Sequence, residues 1–502
     1  MIMYSPRRRR EIVKRLTSIF LSIVVLVTAC ATSLGMSENI AYASTEIPRE
    51  IALKVNDKSP EIVKVVDISY EGNAYASLRD VANLLSGTTK HFDVGITADL
   101  VNITTEKDYA PVGDEALNEK WTEADKSILK GHLFKNDIVT VDGRELRYYV
   151  LPVGYSDGRR DAFMMLADIC MILDMEIEEL SDEIVAINTN AELDINPAIL
   201  EKNGYFEGVN SVLVGDATTG DIYYEYKGSE AFPIASTTKL ISYAVLMDGV
   251  KKGEISLDDS VTISSAAEAL SQGEDRVIIL NAGEKTTLRE ILYAMLLPSS
   301  NECALAGAEH LCGSEKEFIE RMHKLADDLG ASTAAFYNCN GLPVFNGKEV
   351  PAKQHNRMSA EDMFKFASYI LNTYPEVKEI ATTKKYNMST LRHQEIKNTN
   401  QLLYNLDNVT GLKTGTTNRA GCCLVSSYAV NKDGTEHQLV VVLLGAESTQ
   451  DRFRVSQLLS VYGEDVLLGK SKSFVGEVTN PIEETHPQTA EGIVGKIVNS
   501  VR

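Results

Sequence analysis

This 502-residue chain has no metal-enzyme histidine pattern, no C-x-x-C and no excess of positive charge. Each absence excludes something. The eight histidines never form H-E-x-x-H, so no metal and no cofactor is expected. Acidic residues outnumber basic ones, 71 to 50, for a formal net charge of −21. Such a surface is repelled by phosphate backbones and anionic lipid head groups, so nucleic acid is not an expected partner. The missing C-x-x-C removes the thiol–disulfide redox motif. Apolar and charged fractions, 44% and 24%, are those of an ordinary globular protein, and the length calls for two or three domains.

The N-terminus is not ordinary. Arg7 to Arg10, Lys14 and Arg15 form a basic segment, Leu16 to Ala31 an apolar one, and Ala41-Tyr-Ala43 a small-x-small cleavage site. Residues 1–43 therefore read as a secretory signal peptide, which places the mature protein outside the cytoplasm. An uncleaved membrane anchor is the alternative. Val27-Thr-Ala-Cys30 also resembles a lipobox, but apolar residues continue past Cys30, so cleavage after Ala43 is preferred. Export permits disulfides among Cys170, Cys303, Cys312, Cys339, Cys422 and Cys423. Free core thiols and one or two bridges are both open.

Residues 45–195 contain a duplication, with copies over about 50–105 and 137–190. Ala74-Tyr-Ala-Ser-Leu-Arg-Asp-Val-Ala-Asn-Leu-Leu85 lines up with Ala162-Phe-Met-Met-Leu-Ala-Asp-Ile-Cys-Met-Ile-Leu173. Each copy reads strand, turn, strand, helix, strand. The helix of the first presents Leu78, Val81, Ala82 and Leu85 on one face. This small α+β module resembles the one at the N-terminus of copper amine oxidases, without copper ligands, and is expected to act as a spacer or wall-facing module. Residues 464–489 read as a linker. Residues 490–502 place Ile493, Val494, Ile497, Val498 and Val501 on one helical face, suited to docking on the protein or to association with a membrane surface.

Between these ends lie three short motifs in order. Ser236-Thr-Thr-Lys239 is S-x-x-K, Ser299-Ser300-Asn301 is S-x-N, and Lys413-Thr414-Gly415 is K-T-G. Single matches are common: Ser127-Ile-Leu-Lys130 and Ser37-Glu-Asn39 are coincidences of the same kind. The order and the apolar contexts give the set its specificity. On a helix, Ser236 and Lys239 share a face, so an amine can take the serine proton. That needs a lysine pKa lowered by burial, a helix N-terminus or a second cation, which Lys413 can supply. The helix N-terminus also aims the Ser236 N–H at the reacting carbonyl. Strands at Ser211 to Val214, Asp221 to Tyr226, Gly421 to Val430 and His437 to Leu444, with helical patterns between, predict an α+β domain over 196–463. A helix over Gln450 to Val461 is expected to close it. Leu439 to Leu444 is apolar throughout and reads as a buried central strand.

With these residues in view, 205 to about 463 resembles the low-molecular-weight penicillin-binding proteins of the serine D-Ala-D-Ala carboxypeptidase family. Asp216-Ala-Thr-Thr-Gly220, Asn340-Gly-Leu342 and Met358-Ser-Ala-Glu-Asp-Met363 add to the likeness. It implies a five-stranded antiparallel sheet with a helical subdomain. It implies Ser236 as the acylated nucleophile, Lys239 as its base, Ser299 as proton relay and Asn301 as a substrate-peptide ligand. Lys413 would tune the cleft, Thr414 and Arg452 would hold the terminal carboxylate, and the N–H groups of Ser236 and Thr416 would form the oxyanion hole beside Gly415. The implied partners are peptidoglycan stem peptides and, as inhibitors, β-lactam antibiotics, at the cell wall of a Gram-positive type of cell. Two departures, Ser300 for the usual glycine and Thr416 for His or an aromatic, are expected to alter substrate preference. A serine β-lactamase is the alternative, but no E-x-x-L-N lies between the second and third motifs. A catalytically silent wall-binding or antibiotic-sensing protein is the other. The other reading of Arg452 is a surface ion-pair residue beside Asp451 or Glu447.

Overall fold

The computed structural model describes residues 46–473 apart from short interior stretches, the longest being 69–73, 113–116, 130–134, 272–276 and 345–353. The expected signal peptide, Cys30, the tail and both chance motifs, Ser37-Glu-Asn39 and Ser127-Ile-Leu-Lys130, are outside the described residues in whole or part.

The first copy of the duplication forms β1 (Glu46–Val55), β2 (Glu61–Ile68), β3 (Ala74–Ser77), α1 (Leu78–Leu84), β4 (Phe92–Ile96) and β5 (Val101–Thr105). The second forms β6 (Lys135–Val141), β7 (Arg144–Gly154), β8 (Arg160–Met165), α2 (Leu166–Leu173), β9 (Glu176–Ser181) and β10 (Ile184–Asn188). Each copy thus has two strands more than its local pattern suggested. The short β3 and β8 escape notice because they pair with each other across the copies: Tyr75 faces Met165 and Ser77 faces Phe163. The helix face is as expected, with Leu78, Val81, Ala82 and Leu85 fully buried. Ser77 caps α1 by accepting the Asp80 N–H at 3.1 Å.

All ten strands join one sheet in the order β4-β5-β6-β7-β8-β3-β2-β1-β10-β9. That order is unchanged when the copies are exchanged end for end. The last strand of each copy pairs with the first strand of the other, β5 on β6 and β10 on β1, both parallel. Neither copy can complete its sheet alone, so the pair is one folding unit.

The second sheet is five-stranded. It contains β11 (Ser211–Asp216), β12 (Asp221–Tyr226), β13 (Val409–Thr417), β14 (Gly421–Lys432) and β15 (Thr435–Ala446), in the antiparallel order β12-β11-β15-β14-β13. The run Leu439 to Leu444 lies in β15 at the centre, with every side chain fully buried. Between β12 and β13 come α3 (Thr238–Lys251), α4 (Leu288–Leu296), α5 (Asn301–Cys312), α6 (Glu315–Asp328), α7 (Ala360–Thr373) and the short α8 (Leu402–Asn405). Buried side chains surround α3 on all sides, so it runs through the helical core rather than over it. The closing helix α9 spans Thr449–Leu467, longer than the expected Gln450 to Val461, because Tyr462 and Leu467 still find apolar cover. None of the six cysteines of the described residues forms a disulfide. Among the described residues, no helix is long and apolar enough to cross a membrane.

One face of the five-stranded sheet packs on the helical region. The other face packs on α9, and that apolar cluster continues into the duplicated module. Ile169 of α2 and Leu458 of α9 both belong to it and are almost fully buried. The module is therefore packed on the second domain, not held away from it as a spacer. Ile169→Ala and Leu458→Ala should each cost about 2–5 kcal/mol and lower one shared thermal transition. Two separate calorimetric transitions, only one of them moving, would show that the module folds independently.

Candidate active site

The turn that carries Ser236 is held from both sides. Phe232-Pro233 pairs with Arg357-Met358, and Ala235–Thr237 then forms a 3-10 turn leading into α3. Ala235 has a φ of 46°, a conformation that side chains seldom adopt. Thr237 pins the turn by donating its hydroxyl to the Ile234 carbonyl at 2.6 Å. Two glycines press against it. A Cβ on Gly415 would lie 2.9 Å from the backbone nitrogens of both Ser236 and Thr237. A Cβ on Gly341, whose φ is +90°, would lie 1.9 Å from the Ala235 carbonyl oxygen. The glycine of K-T-G is thus required by the close approach of β13 to the serine turn. That approach also brings Gly415 and Thr416 to the edge of the site.

Ser236 is half-buried and Lys239 fully buried. The Lys239 Nζ lies 3.0 Å from Ser236 Oγ, 2.8 Å from Asn301 Oδ1 and 2.8 Å from the Asn340 carbonyl oxygen. The two oxygens of the amide groups can only accept, whereas a hydroxyl can also donate. A neutral amine has two N–H bonds and one lone pair. The two N–H bonds satisfy Asn301 and Asn340, and the lone pair is left for the Ser236 O–H. Burial pushes the Lys239 pKa down to about 7, so the neutral form is accessible near neutrality.

Lys413 is also buried, and its ammonium donates to the Thr414 carbonyl at 2.9 Å. Burial first, then the positive charges of Lys239 and Arg452, holds its pKa well below the usual lysine range. Thr414 shares a hydroxyl–hydroxyl hydrogen bond of 2.6 Å with Thr399, which also donates to the Leu297 carbonyl at 3.3 Å. The third motif is thereby tied to the end of α4, next to the second.

Ser299 is half-buried with a φ of 72° and directly precedes α5. Asn301 opens that helix and turns its side chain to Lys239. Ser300 is fully buried, and its hydroxyl accepts the Cys303 N–H at 3.0 Å as the cap of α5. It faces its own helix, so the expectation that it alters substrate preference gives way to a structural role. Thr416 is exposed and accepts from Arg452 Nη1 at 3.0 Å. Arg452 is buried rather than a surface residue, and the same Nη1 reaches the Gly415 carbonyl at 3.3 Å. Asp451 turns instead to Arg454.

The structure brings all nine expected site residues to this one region. Sequence reasoning missed the groups behind them. Asn338 Oδ1 accepts the N–H groups of Asn340 and Gly341, at 3.2 and 2.6 Å. The Asn356 amide donates to the Asn338 carbonyl at 2.8 Å and to Thr238 Oγ1 at 3.1 Å. Ser242 donates to the Cys339 carbonyl at 2.6 Å. Together they hold the 338–342 loop so that the Asn340 carbonyl meets Lys239. Asn338 and Asn356 lie far from the motifs in sequence and carry no local pattern.

A serine base must be deprotonated to work. With the Lys239 pKa lowered to about 7, the rate of serine acylation should rise about tenfold per pH unit below pH 7 and level off above it. A flat stopped-flow profile between pH 5.5 and pH 8 would remove Lys239 from that role.

Residues 208–448 match the profile of the peptidase S11 family, D-alanyl-D-alanine carboxypeptidase. The D-alanyl-D-alanine carboxypeptidase DacF of Bacillus subtilis is 31% identical over 49% of this chain and 59% of its own length. DacC of Escherichia coli is 29% identical over 50% of this chain and 60% of its own. The chain therefore spans about three fifths of these relatives. Among solved structures, a peptidoglycan synthesis regulatory factor, PBP3, from Streptococcus pneumoniae is 28% identical, with a TM-score of 0.47 over 51% of this chain and 72% of that one. Residues 208–448 are thus similar to the peptidase S11 family.

Proposed function

We propose that this protein is a serine D-alanyl-D-alanine carboxypeptidase that removes the terminal D-Ala from peptidoglycan stem peptides outside the cytoplasmic membrane. The contact of Lys239 Nζ with Ser236 Oγ at 3.0 Å, inside a shell of neutral acceptors, carries the reading. Ser236 Oγ attacks the carbonyl carbon between the two D-alanines and Lys239 takes its proton. The oxyanion is held by the N–H groups of Ser236 and Thr416. Collapse breaks the C–N bond, and Ser299 relays the proton from Lys239 to the departing D-Ala nitrogen, which leaves Lys239 neutral again. Water, deprotonated by Lys239, then attacks the ester and frees a peptide one residue shorter. Thr414 and Arg452 favour a substrate with a free terminal carboxylate. A β-lactam presents a strained amide to the same serine, and its amine stays tethered after ring opening, so the acyl-enzyme persists.

The β-lactamase alternative has no E-x-x-L-N glutamate to activate the deacylating water. A silent protein would not need a buried lysine in contact with its serine.

A fluorescent penicillin should label the protein at Ser236 alone and stay bound over a chase. Ser236→Ala should abolish labelling with an unchanged circular dichroism spectrum. Fast loss of the label would favour a β-lactamase, and no labelling of the parent would favour the silent protein. Arg452→Ala should lower turnover of D-Ala-D-Ala peptides about tenfold to a hundredfold, or about 1.5–3 kcal/mol. A peptide with an amidated terminus should be poor for the parent and lose less from the change. Equal loss on both peptides would place the carboxylate contact elsewhere.

A further inference from the structure

Among the described residues, polar contacts join the duplicated module to the peptidase region at two places, and both lead to the K-T-G strand. The first is a buried charge cluster. Arg454 of α9 reaches Asp168 of α2 at 3.8 Å and is bonded to Asp451 one turn earlier on its own helix. All three residues are buried. Asp451 and Arg454 share one face of α9. Asp451 also accepts from the cap residue Ser448 at 2.7 Å, so this cluster sets the entry into the helix. Arg452 lies within that first turn, and its guanidinium holds the Gly415 carbonyl and the Thr416 hydroxyl.

The second place is α8, just before β13. Asn405 accepts the Arg147 N–H at 2.8 Å and donates to the Arg147 carbonyl at 3.2 Å. Arg144 donates to the Asn405 carbonyl at 2.9 Å. The two contacts bracket β13: one fixes the chain entering it, the other the arginine gripping its far end. None of these module residues reaches the cleft.

We propose that the duplicated module is a positioning element for the cleft: Asp168 and Arg454 fix the first turn of α9, and through Arg452 that turn holds the Gly415–Thr416 end of β13. Asp168 and Arg454 are positioning residues, since neither touches the reacting atoms. A buried cation between two carboxylates has few alternative arrangements, so removing one partner releases the turn. The kinetic part of the test rests on the carboxypeptidase reading; the exchange part does not.

The test uses the full chain with Asp168→Asn, Arg454→Met and the conservative Arg454→Lys. Hydrogen exchange over residues 409–423 should become about tenfold faster in the first two, unchanged over 211–216, and nearer the parent in Arg454→Lys. KM for a peptide ending in D-Ala-D-Ala should rise about fivefold to twentyfold, with kcat within about threefold. Exchange that rises equally in both segments, or in neither, overturns the proposal, because the module would then only stabilise the fold. A KM unchanged while 409–423 loosens overturns the link from β13 to substrate. If the parent turns over no such peptide, the carboxypeptidase reading fails, and exchange alone decides the positioning role. If Arg454→Met does not fold, the nearly isosteric Asp168→Asn decides it.

Discussion

A primary amine withdrawn from water loses most of the solvation that favours its charged form, and Lys239 is in that position. Its pKa of about 7, against an ordinary 10.5, corresponds to a penalty on the order of 5 kcal/mol against the ammonium ion. The rest of the site follows from this constraint. The neutral amine needs two acceptors for its N–H bonds, which Asn301 and Asn340 provide. Asn340 needs its loop held, so Asn338 and Asn356 are buried and bonded to it. Burial and the neighbouring charges of Lys239 and Arg452 likewise oppose protonation of Lys413.

The second requirement is close approach. The serine turn, β13 and the 338–342 loop meet with no room for a methyl group at Gly415 or Gly341. Such packing brings β13 against the backbone nitrogens of Ser236 and Thr237, where side chains would be less well fixed. It also makes the site depend on whatever anchors β13. Thr399 anchors it from the helical side and Arg452 from the far end.

The module belongs to the same chain of dependence. Its two copies exchange strands, so the pair closes only as a whole. The closed pair lays an apolar surface against α9 and adds one buried cluster of charge. An apolar interface gives adhesion without direction, and the Asp168–Arg454 contact adds a preferred register.

The sequence by itself determined the chemistry: a serine three residues before a lysine at a helix start, a second S-x-N pair, and a K-T-G strand. It also determined the local faces, because apolar periodicity is a property of neighbours along the chain. Leu78, Val81, Ala82 and Leu85 are buried as their spacing requires, and Leu439 to Leu444 fills a central strand. Only the tertiary structure decided what each charged or polar group meets. The alternative of Arg452 as a surface ion-pair residue beside Asp451 gives way to a buried side chain against β13, while Asp451 pairs with Arg454. Ser300 looks like a variation in the cleft, yet it caps its own helix. The pairing of β3 with β8 and the 338–342 support both join residues far apart in the chain. Burial and long-range hydrogen bonding depend on which surfaces the fold brings together, and no local pattern records that.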